Sequence, residues 1–319
     1  MKTCSQAPAA VVMIRPHHFC PNPETAADNA FQKSHQDFSG REIKAKALAE
    51  VDAAARALAR HGVKVMLFDD ESRATPDSVF PNNWFSTHEN GSLGIYPMYC
   101  KNRRKERRPD ILARIACEYR VRQTFDYSHF ESQDLFLEGT GALVLDHVNR
   151  IAYAVKSKRM SDWLLSHFCR DFNYQAVAFH ACDENDVDIY HTNVLMCIGT
   201  GFAMIGAEMI KNEQERQRVM QSLQQGGREV IELSMEQIKQ FAGNALELAT
   251  PGGNILALSQ TAFACLHPTQ IRRIEKYAVI VPLDVSTIEL AGGSVRCMLA
   301  GIHLPEKTQV FAGFQSTGK

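Results

Sequence analysis

The feature that most constrains the fold is a repeat of short strands and single helices along the chain. A strand is predicted over 11–16, and an alanine- and leucine-rich helix over 41–62 leads into a strand over 63–69. Two or three short strands then accompany each helix, and the unit returns roughly every 50 to 70 residues. This rhythm is too strand-rich for a doubly wound parallel sheet. It predicts α/β repeats arranged around an axis.

Composition and linker content favour one domain over 1–319. The chain is 45% hydrophobic and 22% charged, as in globular proteins, and no low-complexity or Pro/Ser-rich linker divides it. A net charge of −1 provides no global field toward nucleic acid or an anionic membrane. No apolar run reaches membrane-spanning length, and the N-terminal VVMI is too short for a secretory signal. We therefore expect a cytoplasmic protein with neither nucleic acid nor membrane as a partner.

The cysteines indicate reduced thiols rather than a disulfide framework or a metal site. There are nine, an odd number, and no CxxC pair occurs. Several buried thiols in a reducing compartment explain most of them, while one remains a candidate nucleophile. No metal and no cofactor are expected.

Two segments in the first half combine reactive side chains with turn-forming residues. FPNNWFSTH (80–88) contains Asn82 in a demanding turn and ends in His88. LEGTGALVLD (137–146) places Glu138 within a predicted strand–turn–strand over 134–146, where a carboxylate must be hydrogen-bonded or paired. Its glycines permit close approach of other groups. The alternatives are a packed turn with a surface histidine, and an acid beside a turn.

Two later segments complete the set. DVDIYHTNVLMCIG (186–199) has His191 and Asn193 at the mouth of a predicted strand, a position suited to acid–base chemistry. AGGSVRCML places Cys297 after two glycines and beside Arg296, within a final strand predicted over SVRCML (294–299). The alternatives are a rim histidine and a structural thiol. Together the four segments offer a nucleophile, a proton shuttle and an orienting acid, the minimum for covalent catalysis at a planar carbon.

These motifs resemble those of the guanidino-group modifying superfamily, which includes arginine deiminases, dimethylarginine hydrolases and amidinotransferases. Glu138-Gly139, His191-x-Asn193 and GGSVRCM carry the resemblance, and PNNWFSTH is similar to the early substrate loop of that superfamily. RPHHFCPNPETAADNAFQ resembles its bacterial citrulline-utilisation hydrolases. The resemblance covers almost the whole chain. It implies a five-bladed α/β propeller, the pentein fold, built of ββαβ repeats.

The resemblance also implies roles for residues. Cys297 would attack the substrate head group, His191 would protonate the leaving amine and then activate water, and Glu138 would hold a substrate nitrogen. Arg159 would bind the substrate carboxylate, with Arg103 or Arg107 of the basic run KNRRKERR in reserve. The alternative for that run is a solvated segment. The remaining substrate-binding candidates are Asn82, His88, Asn193 and Arg296.

Three departures from the superfamily pattern concern the substrate. Arginine deiminases have Arg-Asp where this chain has Thr-His at 87–88, Glu-Gly-Gly-Asp where it has Glu-Gly-Thr-Gly at 138–141, and His-x-Asp where it has His-Thr-Asn at 191–193. A guanidinium prefers paired carboxylates, whereas a neutral ureido group does not need them. The sequence thus favours a small ureido amino acid such as citrulline. Arginine or methylarginine hydrolysis, amidino transfer, a non-catalytic sensor and homo-oligomer formation remain open alternatives.

Overall fold

The computed structural model describes residues 5–26, 29, 31–32 and 40–307. Within them, the strands form five three-stranded sheets. The strands are β1 (Ala10–Pro16), β2 (Lys64–Asp70), β3 (Phe85–Thr87), β4 (Ser92–Ile95), β5 (Gln123–Asp126), β6 (Val144–Asp146), β7 (Ile151–Val155), β8 (Gln175–Phe179), β9 (Met196–Ile198), β10 (Phe202–Ile205), β11 (Glu229–Glu232), β12 (Leu246–Thr250), β13 (Gly253–Ser259), β14 (Val279–Leu283) and β15 (Ala300–Ile302).

The helices lie mostly between the second and third strand of each sheet. They are α1 (Gly40–Arg60), α2 (Pro109–Glu118), α3 (Gly139–Ala142), α4 (Asp162–Phe172), α5 (Thr192–Leu195), α6 (Glu213–Gln225), α7 (Met235–Lys239), α8 (Gln260–Cys265), α9 (Pro268–Ile274) and α10 (Val295–Met298). Short 3₁₀ turns occur at Pro81–Asn83, Arg103–Glu106, Ser128–Gln133, Ala207–Met209 and Ile288–Ala291. None of the described helices is long and apolar enough to cross a membrane.

Every sheet has the same plan. A short inner strand pairs antiparallel with a middle strand, and a helical connection then returns the chain to a parallel outer strand. The inner strands are β3, β6, β9, β12 and β15, and neighbouring sheets contact each other through them. This arrangement confirms the predicted five-bladed propeller of ββαβ repeats.

The ring closes between the two ends of the chain. The last strand, β15, pairs antiparallel with β1 in the register Ala10↔Ile302, while β1 pairs in parallel with β2. The first blade therefore takes its inner strand from the C-terminal end. As a result, Cys297, which lies just before β15, is placed in the ring beside residues from the middle of the chain.

Helix α1 shows how the outer layer is fixed. Its buried residues recur at three- and four-residue spacing, so one apolar stripe faces the sheet while the rest faces solvent. The chain leaves the helix at Gly62, whose φ of +92° is the left-handed conformation that glycine adopts most easily. The stripe consists of Ile43, Ala47, Val51, Ala54, Ala55 and Leu58.

Three predictions of strands were wrong in part or in full. The strand predicted after His191 begins only at Met196, after a helical turn over 192–195, and the strand predicted over 294–299 is a helical turn that precedes β15. Of the strand–turn–strand predicted over 134–146, the turn and the second strand are present, but residues 134–138 do not form a strand. Apolar residues continue through both parts, so periodicity could not separate them. Glu138 and His191 are consequently the residues that precede short helical turns, and neither lies within a strand.

Candidate active site

Five tight turns meet at one end of the propeller axis, because all inner strands run in the same direction and each is preceded by a turn. Four of them are Pro81–Asn83, Gly139–Ala142, Thr192–Leu195 and Val295–Met298, and the fifth is the turn at 243–244 before β12. The turns contact one another, and their side chains surround Cys297. The pseudo-fivefold repeat thus delivers one segment from each blade to the same point.

The Cys297 thiol is surrounded by neutral amides. The Nδ2 groups of Asn193 and Asn244 each donate to its Sγ at 3.3 Å. Asn244 Nδ2 also donates to the Asn193 carbonyl at 2.9 Å, which links the two turns. Cys297 is only 2% exposed. Two amide N–H groups directed at one sulfur can stabilise a thiolate, the reactive form of cysteine.

The predicted positive charge beside the thiol is not at this site. The Arg296 guanidinium donates to the Leu299 carbonyl at 2.9 Å and lines a different cavity on the propeller axis. Consecutive residues on a helical turn point in different directions, which explains the divergence of Arg296 from Cys297. Arg296 was predicted to bind substrate, but the structure does not bring it to the proposed substrate cavity.

His191 and Glu138 form a buried pair. His191 Nε2 lies 2.7 Å from Glu138 Oε2, Arg159 Nη1 lies 3.4 Å from the same oxygen, and the Tyr99 backbone N–H donates to Oε1 at 2.9 Å. Burial opposes ionisation of Glu138, but Arg159 and His191 outweigh it and lower the pKa of this carboxyl. Glu138 is therefore a carboxylate that orients the imidazole.

The protonation of His191 follows from this pairing. Burial lowers the pKa of His191 to about 4, although Glu138 partly opposes the shift. The ring is thus neutral near pH 7. With Nε2–H donating to the carboxylate, Nδ1 is the basic nitrogen, and His191 can accept and return a proton.

Two glycines allow the turns to approach so closely. A Cβ on Gly139 would lie 2.7 Å from the Asn82 and Asn83 carbonyl oxygens, and its φ of +43° also disfavours other residues. A Cβ on Gly141 would lie 2.3 Å from Asn83 Oδ1 and 2.8 Å from His191 Nδ1. Any side chain at Gly141 would displace the imidazole, as the sequence prediction of close approach at these glycines implied.

A buried cavity leads to the thiol and carries both signs of charge. Arg103 donates to both oxygens of Glu106 at 2.9 Å and is 2% exposed. Asp77 accepts from Asn22 at 2.7 Å through Oδ2, while its Oδ1 has no hydrogen-bond partner within the described residues. The residues lining the cavity are Thr25, Asn29, Asp77, Phe80, Asn83, Arg103, Arg159, Tyr190, His191, Ala291, Gly293 and Cys297.

The buried acid has a raised pKa. Burial raises the pKa of Asp77, and the neighbouring Arg103 opposes the shift. Two guanidinium groups and one incompletely bonded carboxyl group in one cavity match the two ends of an amino acid. This part of the cavity can hold a carboxylate and an ammonium group.

The structure does not bring all predicted binding residues into this cavity. His88 is fully buried among aromatic rings, 4.3 Å from Phe172 between ring centroids, and its Nε2 is hydrogen-bonded to Ser86. His88 was predicted to bind substrate. It directly follows the short strand β3, and its side chain instead packs against residues of the neighbouring blade. Arg107 pairs with Glu131 instead of lining the cavity.

The predicted Asn82 is buried, but its neighbour Asn83 lines the cavity. In the amide orientation that satisfies both residues, Asn83 donates to Asn82 Oδ1 at 3.0 Å and accepts from Arg103 at 2.7 Å. Sequence reasoning missed Asp77 and Asn244. Asn244 had a signal, because it occupies in the fifth repeat the place that the other four repeats give to candidate residues.

Metal binding has no support in the described part of the chain. No group of three or more His, Cys, Asp or Glu side chains there is arranged to hold a metal ion. The described cysteines are all free thiols.

Known proteins share this architecture. A family model described as "N,N dimethylarginine dimethylhydrolase, eukaryotic" matches residues 15–304. No curated protein matches the sequence. One similar structure is the N-terminal domain of ArgZ, an arginine dihydrolase from the ornithine–ammonia cycle in cyanobacteria. It is the structure of a cysteine-to-serine variant bound to substrate. It is 16% identical with a TM-score of 0.72, over 93% of this chain and 98% of that chain.

Two further structures are similar. A cysteine-to-alanine variant of AgrE in complex with L-arginine is 14% identical with a TM-score of 0.73, over 94% of this chain and 41% of that longer chain. A dimethylarginine dimethylaminohydrolase adduct with 4-chloro-2-hydroxymethylpyridine is 14% identical with a TM-score of 0.60, over 92% of this chain and 99% of that chain. At such identities the likeness concerns the fold.

Proposed function

Because the chain belongs to the N,N dimethylarginine dimethylhydrolase family, within the guanidino-group modifying superfamily, we propose that it hydrolyses the ureido group of a small amino acid, with citrulline as the preferred substrate. It is a hydrolase that acts on carbon–nitrogen bonds other than peptide bonds. The proposed products are ornithine, carbon dioxide and ammonia. Residues 1–319 are proposed to form one catalytic domain of a cytoplasmic enzyme.

The neutral surroundings of the thiol carry the choice of a ureido substrate. Asn193 Oδ1 and Asn244 Oδ1 are buried and have no hydrogen-bond partner within the described residues. An unpartnered buried acceptor is costly, and the N–H groups of a ureido head group would satisfy both oxygens without adding charge. A guanidinium would bring a buried cation to amides that cannot neutralise it.

The carboxylate nearest to the reaction is already engaged. Both oxygens of Glu138 have protein partners, so Glu138 is poorly placed to neutralise a substrate cation in addition. Asp134, Asp186 and Asp188 lie in or beside the motif segments, but they are exposed and do not line the cavity. This supports the proposal that the missing acids are not supplied from those positions.

The end of the cavity away from Cys297 is suited to binding the α-carboxylate and α-ammonium groups of an amino acid. In the proposed pose, Arg159 and Arg103 attract the α-carboxylate, while the free oxygen of Asp77 accepts from the α-ammonium. The aliphatic chain of the substrate would then pass Tyr190 toward the thiol. Binding energy at the amino-acid end would hold the head group against Cys297 and lower the entropic cost of attack.

The proposed reaction proceeds in two steps. Cys297 transfers its proton to Nδ1 of His191 and attacks the ureido carbon, and His191 then protonates the departing ornithine amine, leaving a carbamoyl thioester on the sulfur. Water next loses a proton to His191 and attacks that thioester. The products of this step are the thiol and carbamic acid, which breaks down to carbon dioxide and ammonia.

Arginine hydrolysis is the second candidate. Asp77 lines the cavity with a free carboxylate oxygen, and this acid would favour a guanidinium if it faced the head group instead of the α-ammonium. The similar ArgZ is an arginine dihydrolase, which keeps this candidate worth testing. Amidino transfer would need an acceptor amine in place of water.

Product analysis with citrulline, arginine and dimethylarginine in parallel tests the proposal. We expect ornithine and ammonia from citrulline at a higher kcat/KM than any product from the other two. Addition of an acceptor amine should not divert the carbamoyl group. A higher kcat/KM with arginine, or a transfer product, would contradict the proposal, and a Cys297→Ser preparation controls for contaminating enzymes.

A further inference from the structure

A second cavity lies on the propeller axis and shares no lining residue with the cavity at Cys297. All five inner strands, or the residues next to them, contribute to its wall. It offers about 40 Å³ to the centres of water-sized molecules, which is room for roughly three waters or one small ion. We call it the axial cavity. Its polar lining residues include Arg296, His147, His303 and Thr87.

Within the part of the chain that the structure describes, Arg296 is the only arginine or lysine that lines the axial cavity. Among the described residues its guanidinium has one hydrogen-bond acceptor, the Leu299 carbonyl, and no ion pair with a carboxylate. A guanidinium has five N–H donors, so most of them remain for a group inside the cavity. Burial lowers the pKa of Arg296 to about 10, as expected for a cation without a counter-charge.

Acids on the bordering strands do not pair with Arg296. Asp146 pairs with Arg228 at 3.0 Å and accepts from Asn149 at 2.8 Å. Glu247 accepts from the Thr200 hydroxyl at 2.6 Å through Oε2, and its buried Oε1 has no hydrogen-bond partner within the described residues. Neither carboxylate lines the axial cavity. The positive charge of Arg296 is therefore not neutralised by the protein groups around it.

The two histidines of the axial cavity are suited to a polar guest without adding charge. Their rings stack at 3.9 Å between centroids, and burial lowers the pKa of both. His147 Nδ1 lies 2.9 Å from the Tyr174 hydroxyl. Both rings are therefore neutral near pH 7, and Arg296 supplies the positive charge of the axial cavity.

We propose that the axial cavity binds one small monovalent oxyanion, of the size of bicarbonate, formate or nitrate, on the Arg296 guanidinium. The planar guanidinium matches such an anion through two parallel hydrogen bonds. One cation favours one negative charge, and the limited space excludes larger anions. Arg296 and His303 keep partial exposure, so solvent can reach the site. This proposal does not depend on the proposed function.

Crystals of the full chain soaked in sodium bromide provide the first test, because bromide is a monovalent anion with an anomalous signal. We expect an anomalous peak within hydrogen-bond distance of the Arg296 guanidinium. Bromide at surface positions only, with water in the axial cavity, would overturn the proposal. This experiment uses the unaltered protein and does not depend on the folding of a variant.

Thermal unfolding in a sodium nitrate titration provides the second test. A ligand that binds the folded state raises the melting temperature in a saturable manner. We expect this rise in the parent protein and in Arg170→Gln, which removes an exposed guanidinium, and its loss in Arg296→Gln. An equal rise in all three proteins would show a general salt effect and would overturn the proposal.

Discussion

Asn244 should be required for the reactivity of Cys297, although no motif in the sequence around it marks it. Its Nδ2 donates to the sulfur at 3.3 Å and to the Asn193 carbonyl at 2.9 Å. Asn244→Ala removes both hydrogen bonds. The sulfur that attacks the substrate would then accept a hydrogen bond from the Asn193 amide alone, and its reaction would slow.

The size of the effect follows from the two contacts. A hydrogen bond to a charged group contributes about 1.5–3 kcal/mol, and sulfur is a weak acceptor, so we take the lower end. About 1.5 kcal/mol corresponds to a roughly tenfold slower reaction of Cys297. The buried Asn193 carbonyl also loses a donor, which should lower the free energy of unfolding by about 1–3 kcal/mol.

Alkylation by iodoacetamide, followed by mass spectrometry of the peptide that contains Cys297, separates this cysteine from the others. Asn254→Ala is the matched control. Asn254 Nδ2 donates to the hydroxyl of the exposed Thr200 at 3.3 Å and does not contact the sulfur. We expect slower alkylation and lower kcat/KM only in Asn244→Ala. A folded Asn244→Ala protein whose Cys297 reacts at the parent rate would refute the reasoning.

Three more outcomes follow from the site. Cys297→Ala should abolish turnover and retain the fold. Cys197→Ala, which changes a buried thiol of the axial cavity, should retain turnover and serves as the control. Turnover by Cys297→Ala would contradict covalent catalysis by this cysteine. Asn193→Asp should shift the ratio of kcat/KM values toward arginine and slow the reaction, because it places a carboxylate beside the sulfur; an unchanged ratio in steady-state assays would argue against a head group at Asn193. Burial lowers the pKa of His191 to about 4 and of His303 to about 3, below the unfolded value of about 6.5. The unfolded chain therefore binds more protons between about pH 6.5 and pH 4, so the free energy of unfolding should fall as the pH drops through that window; equal urea midpoints at about pH 7 and pH 5 would contradict this.

The fold could be predicted from the sequence because its unit is local. Each blade is a run of short apolar strands and one helix, and a repeat of that kind is visible without tertiary information. The turns before the inner strands were less predictable. In 192–198 a helical turn and a strand are both apolar and buried, so only the contacts between blades decide where one ends and the other begins.

The candidate catalytic residues could be predicted where a motif marks them. The directions in which the side chains of neighbouring residues point could not. Cys297, His191 and Glu138 stand in short motifs, and the structure places all three at the same end of the axis. The directions of Arg296 and His88 depend on one helical turn and one short strand, whose orientation follows only from how blades pack. Both side chains therefore face regions other than the cavity at Cys297.

Asp77 was invisible in the sequence for a different reason. It lies among turn-forming residues with no motif, and its position is defined by Asn22 and Arg103, which come from distant parts of the chain. Asn244, in contrast, was within reach. Alignment of the five repeats on their inner strands places it beside the four segments that contain the candidate site residues.

The central claim is that Cys297 takes up a carbamoyl group from a ureido substrate. The most direct measurement is an acid quench of the enzyme during turnover of citrulline, followed by peptide mass spectrometry. We expect a mass increase equal to one carbamoyl group on the peptide containing Cys297, and no such increase in Cys297→Ala. Turnover of citrulline with no adduct on any cysteine at any quench time, or an adduct on a cysteine other than Cys297, would contradict it.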